Sequence, residues 1–384
     1  MIPLAVPNLS GREADYLQEC VTSTFVSSVG QFVTRMEQQA AEASCSVGGV
    51  AVSAGTTGLH LALRTLGVLP GDLVVLPAFT FVASANAIAH CHATPWLFDV
   101  EGESWTLSAP QVKRVLNDRL IPAGADRPRD RVTGARVGAI MPVHTLGHPA
   151  DMQPLLATAA RFGIPVVADA AAALGATYRG RAIGELGADF SVFSFNGNKT
   201  VTAGGGGMVV SQDRALLDRA RHLSTTARIG DEYEHDEVGF NYRMTNLQAA
   251  VGCAQLEQLD RFVTIKRRIQ AHYTEQLTDL PGVEPFPQAD WADSAAWFAG
   301  VVVKDRPYDR LQTLRAELRQ AGIDARPFWK PMHLQRPYAA APREDLSVTD
   351  GFWPQLLTLP CSTSINQDDL AYVTATVRER LRRS

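Results

Sequence analysis

Short apolar runs and longer stretches with helical spacing follow one another along the chain and lay out its elements. Apolar runs at 50–52, 73–76, 95–100, 137–143, 165–168, 190–195 and 208–210 read as buried strands. Helical patterns fill 31–43, 81–89, 110–116, 152–162 and 213–222, and one starts near 10 or 11 and runs to about 22. Another begins at the small-residue turn Ser53-Ala54-Gly55-Thr56-Thr57-Gly58 and carries Leu59, Leu61, Leu63 and Leu66. Strands separated by helices predict an α/β fold, a mostly parallel mixed sheet between helices. Ligands in such sheets bind beyond the carboxyl ends of the strands. The turns near 53–57, 77–81, 144–147 and 169–175 fall at that end.

The rest of the pattern is less regular. Residues 117–136 are polar and rich in Asp and Arg, which predicts an exposed excursion, and 224–240 reads as a charged loop. A single helical stretch from 245 to about 277 crosses into a smaller C-terminal α+β domain. That domain has a strand at 297–303, a helix at 309–321, a Pro/aromatic turn at 326–331 and a last helix at 367–382. The predicted division is a large domain at 1–250, including an N-terminal arm, and a small one at 251–384.

Composition removes several function classes. The 384 residues are 46% hydrophobic and 20% charged with net charge −4, so neither a nucleic-acid surface nor a polybasic membrane surface is expected. Cys20, Cys45, Cys91, Cys253 and Cys361 are odd in number and form no CxxC, which suits reduced thiols and a cytoplasmic location. No apolar run is long enough to span a bilayer, and the first residues lack the basic and apolar regions of a signal peptide. No GxGxxG joins a strand to a helix, which disfavours a dinucleotide site. His90-Cys91-His92 is the nearest approach to a metal cluster, but adjacent residues on a helix converge poorly on one ion, so no metal is expected.

Candidate chemistry concentrates around one lysine. Lys199 lies on an Asn/Gly turn directly after the apolar run at 190–195. A lysine held there and partly desolvated suits a Schiff-base nucleophile; a solvated turn lysine is the plain alternative. Asp169 ends a strand among small residues, either as a buried, paired carboxylate or as a helix cap. Thr56 and Thr57, at the start of a helix, together with Ser194 offer donors for a phosphate, or a simple cap. Phe81 can cover a flat ring, or belong to the core. Lysine, aspartate, an aromatic and a phosphate cradle together are what pyridoxal 5'-phosphate requires.

The motifs are then recognisable. Val26-Ser27-Ser28-Val29-Gly30, the turn at 53–57, Thr80-Phe81-Val82-Ala83-Ser84-Ala85-Asn86, Val143-His144-Thr145-Leu146-Gly147, Asp169-Ala170-Ala171, the run 194–199, Gly239-Phe240-Asn241-Tyr242-Arg243-Met244 and Arg326-Pro327-Phe328-Trp329 occur in order over nearly the whole chain. The chain resembles the DegT/DnrJ/StrS sugar aminotransferases, pyridoxal phosphate enzymes of fold type I. The opening residues and the turns at 27–30 and 195–199 are most similar to the branch of the legionaminic-acid pathway.

The resemblance implies roles. Lys199 would bond the cofactor and shuttle a proton, Asp169 would pair with the ring nitrogen, and Phe81 would stack on the ring. Thr56, Thr57 and Ser194 would hold the phosphate, and Asn241 would reach into the neighbouring subunit of a homodimer. Ser28, Arg326, Trp329 and His333 are candidates for contacts to the substrate. The implied reaction takes an amino group from L-glutamate to C4 of a UDP-linked 4-keto-6-deoxy-N-acetylhexosamine, in surface polysaccharide biosynthesis. One position departs: Ala172 stands where the family usually has Glu or Gln near the cofactor's ring hydroxyl. That departure leaves a catalytically silent, regulatory relative as an alternative. A sugar dehydratase is another, but that branch replaces the lysine by histidine, and Lys199 counts against it.

Overall fold

The computed structural model describes residues 1–383 apart from 125 and 305, so one residue of the predicted 117–136 excursion lies outside the described residues. Strands β1 (Gly48–Val52), β2 (Leu73–Pro77), β3 (Thr94–Phe98), β4 (Val137–Ile140), β5 (Val167–Asp169), β6 (Phe190–Ser194) and β7 (Gly207–Ser211) form its central layer. A three-stranded sheet, β3-β2-β4, meets a four-stranded sheet, β5-β6-β7-β1. Parallel bridges Ile140–Val166 and Val143–Asp169 join them between β4 and β5. Every strand runs the same way except β7, which is antiparallel to both of its neighbours.

Local sequence explains this arrangement. β2 and β4 are buried at every position, as strands covered on both faces must be. Helices Gly55–Thr65, Val82–His90 and Met152–Phe162 lie between strands in sequence and allow parallel pairing. Between β6 and β7 there is only the loop 195–206, so the chain has to double back. That loop is clamped by Phe195 N–H to Gly206 O and Ala203 N–H to Phe195 O, both 2.9 Å. β7 begins at Gly207, where a Cβ would lie 2.8 Å from Gly55 N, so only glycine lets the strand pass the start of the helix. Phe190, Phe193 and Phe195 are fully buried around this loop. Burying each contributes about 1.5–3 kcal/mol.

Towards the C-terminus, strands Val283–Pro285, Ala299–Val303 and Leu356–Leu359 form an antiparallel sheet. Its core includes Tyr273, Leu277, Leu314, Leu318 and Val377 from the flanking helices. Among the described residues, no helix is long and apolar enough to cross a membrane.

One sequence expectation changes and a second gains detail. The single helix predicted at 245–277 is two, Asn246–Leu256 and Leu259–Leu277. Gln258 N–H bonds Gln255 O at 3.0 Å, a three-residue closure that tightens and turns the chain. The excursion at 117–136 is mostly exposed, but it contains a hairpin, Leu120–Ala123 with Asp126–Asp130, and buries Leu120, Pro128 and Asp130. Asp130 is 0% exposed and is gripped by Arg119 Nε at 2.8 Å and Nη2 at 2.9 Å. Arg136 holds Asp72 in the same two-pronged way, at 2.8 and 2.6 Å. Bidentate pairing satisfies these charges and lets the carboxylates lie inside.

Lys266, on the helix Leu259–Leu277, ties the C-terminal sheet to the site. It is buried, and its Nζ donates to Trp297 O at 2.9 Å and Cys361 O at 2.7 Å. Lys266→Met leaves both carbonyls without that donor. The expected loss is about 2 kcal/mol, read as a lower urea midpoint at unchanged slope.

Candidate active site

The carboxyl ends of β1, β2, β4, β5 and β6 surround a cavity of about 250 Å³. Its wall brings together the 53–56 turn, Phe81, His144, Asp169, Ala171, Ala172, Ser194, Asn198, Lys199, Trp297, Phe298 and Trp329. Parallel strands put their following turns on one edge, so residues far apart in sequence meet there.

Asp169 is the last residue of β5 and is 5% exposed. Ser84 Oγ donates to Oδ2 at 2.6 Å, and Ala171 N–H to Oδ1 at 3.1 Å. Burial raises its pKa; the Ser84 and Ala171 hydrogen bonds and the nearby Lys199 oppose that rise. This carboxylate has been desolvated without a full counter-charge, and a cationic ligand would supply one.

Lys199 is half-buried in the loop after β6. Its Nζ lies 3.5 Å from the centroid of the Trp297 ring. Trp297 is fixed on three sides: Nε1 donates to Asn198 O at 2.7 Å, its N–H to Leu146 O at 3.0 Å, and its carbonyl accepts from Lys266. Burial lowers the Lys199 pKa to about 7, with Asp169 pulling the other way. Below that pH the amine is protonated and cannot attack a carbonyl; above it the lone pair is free. Aldehyde capture by the empty protein is therefore expected to accelerate as pH rises through about 7, not near the ordinary 10.5. Stopped-flow absorbance against pH checks this.

The predicted phosphate cradle is divided. Thr56 and Ser194 line the cavity, at the N-terminus of helix Gly55–Thr65 and the end of β6. Thr57 does not; its Oγ1 turns back onto Ala54, accepting from its N–H at 3.1 Å and donating to its carbonyl at 2.8 Å. This hydroxyl shapes the turn, while first-turn N–H groups remain available to an anion. Phe81 lines the cavity with 51% of its surface exposed, tilted against Trp329 at 5.9 Å between centroids.

Four other predicted residues lie off the wall of this cavity. Asn241 is exposed and Ser28 half-buried. Arg326 is exposed and paired with Asp324 at 2.7 Å, and His333 is buried with Nε2 2.9 Å from Asp350. Of the Pro/aromatic turn, Trp329 faces the cavity.

Sequence reasoning gave no role to Ser84, His144 or Trp297. Ser84 and His144 fall inside motifs already noted, and Ser84 stands one helical turn after Phe81. Trp297 read as the first residue of a strand, and no local pattern points it at Lys199.

A family-wide sequence model, for the DegT/DnrJ/EryC1/StrS aminotransferases, matches residues 7–378. The chain is 36% identical over 385 residues to a GDP-perosamine synthase of Caulobacter vibrioides, covering 99% of this chain and 98% of that protein. It is 34% identical over 379 residues to a GDP-perosamine synthase of Escherichia coli O157:H7, covering 98% of each. Among solved structures, S. venezuelae DesV superposes with a TM-score of 0.86 at 31% identity, over 100% of both chains.

Proposed function

Since the chain belongs to the DegT/DnrJ/EryC1/StrS aminotransferase family, we propose that it moves an amino group from L-glutamate to C4 of a nucleotide-linked 4-keto-6-deoxyhexose. It is a pyridoxal phosphate-dependent aminotransferase. The observation that carries the reading is a lysine with pKa about 7 sharing one small cavity with a buried carboxylate.

The residues fit the cofactor. Asp169 is buried without a full counter-charge, and a helix N-terminus opens on the same wall. When bound, pyridoxal phosphate supplies an aldehyde that exchanges amines and a protonated ring that draws electrons. Asp169 would hold the proton on the ring nitrogen. Thr56, Ser194 and the first N–H groups of helix Gly55–Thr65 bind the phosphate, with Thr57 fixing the turn. Phe81 covers the ring. Lys199 would carry the proton to and from the carbon that bears the transferred nitrogen, taking it from Cα of the amino donor and returning it at the acceptor carbon. Trp297, Phe298 and Trp329 exclude water from that proton's path.

The acceptor's nucleotide has two candidates. The resemblance to the legionaminic-acid branch favours a UDP-linked N-acetyl sugar; the names of the two relatives favour a GDP-linked one. Arg326, Trp329, His333 and Ser28 are the residues proposed to meet it.

A homodimer is part of the reading, as is the division into domains 1–250 and 251–384. A bound phosphate brings about two negative charges. Among the described residues of the wall, Lys199 is the only lysine or arginine. Asn241 is exposed, and Val21, Phe25, Val26 and Val29 are exposed apolar side chains on the segment tied to Asn246 through Phe25 O and Ser27 O. A second copy covers that segment and brings its Asn241 to the phosphate. Sedimentation as a dimer is expected.

Adding L-glutamate to the pyridoxal phosphate-loaded protein tests the first half of the reaction. The visible band should fade as pyridoxamine phosphate and 2-oxoglutarate appear in equal amounts. A band that ignores glutamate would return the silent-relative reading.

A further inference from the structure

His144 lines the cavity beside Asp169 and carries a buried ring nitrogen with no hydrogen-bond partner. The residue is 1% exposed. Its Nδ1 accepts the Ala150 N–H at 2.9 Å, and a ring nitrogen that accepts bears no proton. The single proton of the neutral ring is therefore on Nε2. Burial, with His148 nearby, lowers the His144 pKa to about 3, so the ring is neutral at physiological pH. Nε2 has no hydrogen-bond partner. A buried N–H without an acceptor is rare and asks for a reason.

The backbone holds this donor firmly. His144 N–H bonds Asp169 O at 2.9 Å, which fixes it level with the end of β5. The chain then turns through left-handed Leu146 (φ 60°) and Gly147 (φ 88°). A Cβ on Gly147 would lie 2.8 Å from Ala172 O, so the turn is pressed against that segment. Ala171 and Ala172 line the same wall with no polar side-chain atom.

We propose that His144 Nε2–H donates to the ring oxygen of bound pyridoxal phosphate. Strand order selects that oxygen. Asp169 ends β5, His144 follows β4 on one side of it, and Ser194 ends β6 on the other. The 53–56 turn, after β1, lies beyond β6 and β7. With the ring nitrogen at Asp169 and the aldehyde carbon at Lys199, the phosphate arm points to the Ser194 and Thr56 side. The ring oxygen is on the opposite side of the nitrogen-to-aldehyde axis, towards β4. It is an anionic acceptor, which is what a neutral, unpaired N–H lacks.

The proposal rests on the reading of Asp169 and Lys199 given above, and its test separates the two. Equilibrium binding is measured for pyridoxal phosphate and for its 3-deoxy analogue, which lacks only the ring oxygen, in the wild type and in His144→Phe. Wild type should prefer pyridoxal phosphate about tenfold, and His144→Phe should lose that preference while still binding the analogue. Equal weakening of both ligands by His144→Phe would overturn the proposal. Failure of wild type to capture either ligand would instead sink the Lys199 assignment. A second measurement needs no variant: the Nε2 proton of ¹⁵N-labelled His144 should move downfield with pyridoxal phosphate and not with the analogue. A resonance that responds alike to both would also overturn it.

Discussion

Lys199→Ala is expected to lose amino transfer by about 10⁴-fold or more, because one residue supplies both the nucleophile and the proton carrier. The fold should barely notice. Lys199 is half-buried, and its ring contact with Trp297 is worth about 0.5–2 kcal/mol. The variant should therefore fold and still bind pyridoxal phosphate, released intact on denaturation and never trapped by borohydride. A small primary amine added to Lys199→Ala should restore part of the rate, since the emptied volume admits it. Lys199→Arg should give no such rescue, because guanidinium stays protonated and fills the space. Retained turnover in Lys199→Ala would mean that another base does the work.

Asp169→Asn should lower turnover by about 10²–10³-fold and weaken cofactor binding about ten- to a hundredfold. The asparagine carbonyl can accept from the Ala171 N–H while its amide donates to Ser84 Oγ, whose own proton turns to Thr80 Oγ1, so the geometry survives while the charge is lost. Stability should move the other way. Burial raises the Asp169 pKa in the folded protein, so its stabilising contribution is present at low pH and lost as pH rises through that raised value. At neutral pH the empty Asp169→Asn protein should melt no lower than wild type. A variant both inactive and markedly less stable would place Asp169 in the scaffold and not in the chemistry. Kinetics and melting curves on one preparation decide between them.

Much of this site is visible in the sequence because parallel sheets make it so. Asp169, Ser194 and Lys199 stand at or just past strand ends, and strand ends in such a sheet share one edge. Apolar runs locate β5 and β6, and the Asn/Gly turn marks the loop that carries the lysine. Trp297 is different. It comes from far along the chain, and what aims it at Lys199 is a set of hydrogen bonds to Leu146, Asn198 and Lys266 that no spacing encodes. The proton on His144 Nε2 is equally invisible, because it follows from what Nδ1 accepts. Polarity places most of 117–136 at the surface, as found; what it does not show is that paired Arg and Asp side chains carry charge inside there. Helical spacing ran through 257–258 because a turn closed over three residues leaves the apolar pattern intact on both sides.

In the proposed reaction nitrogen passes from an amino acid to a sugar through this cavity. ¹⁵N-labelled L-glutamate, the loaded enzyme and either a GDP-linked or a UDP-linked 4-keto-6-deoxyhexose, followed by mass spectrometry of the nucleotide sugar, tests it directly. A ¹⁵N-amino sugar is expected from one of the two acceptors, formed by wild type and lost in Lys199→Ala. Wild type that exchanges nitrogen with glutamate but aminates neither acceptor would contradict the proposed substrate. Wild type that leaves the label on glutamate would rule out amino transfer from glutamate by this protein.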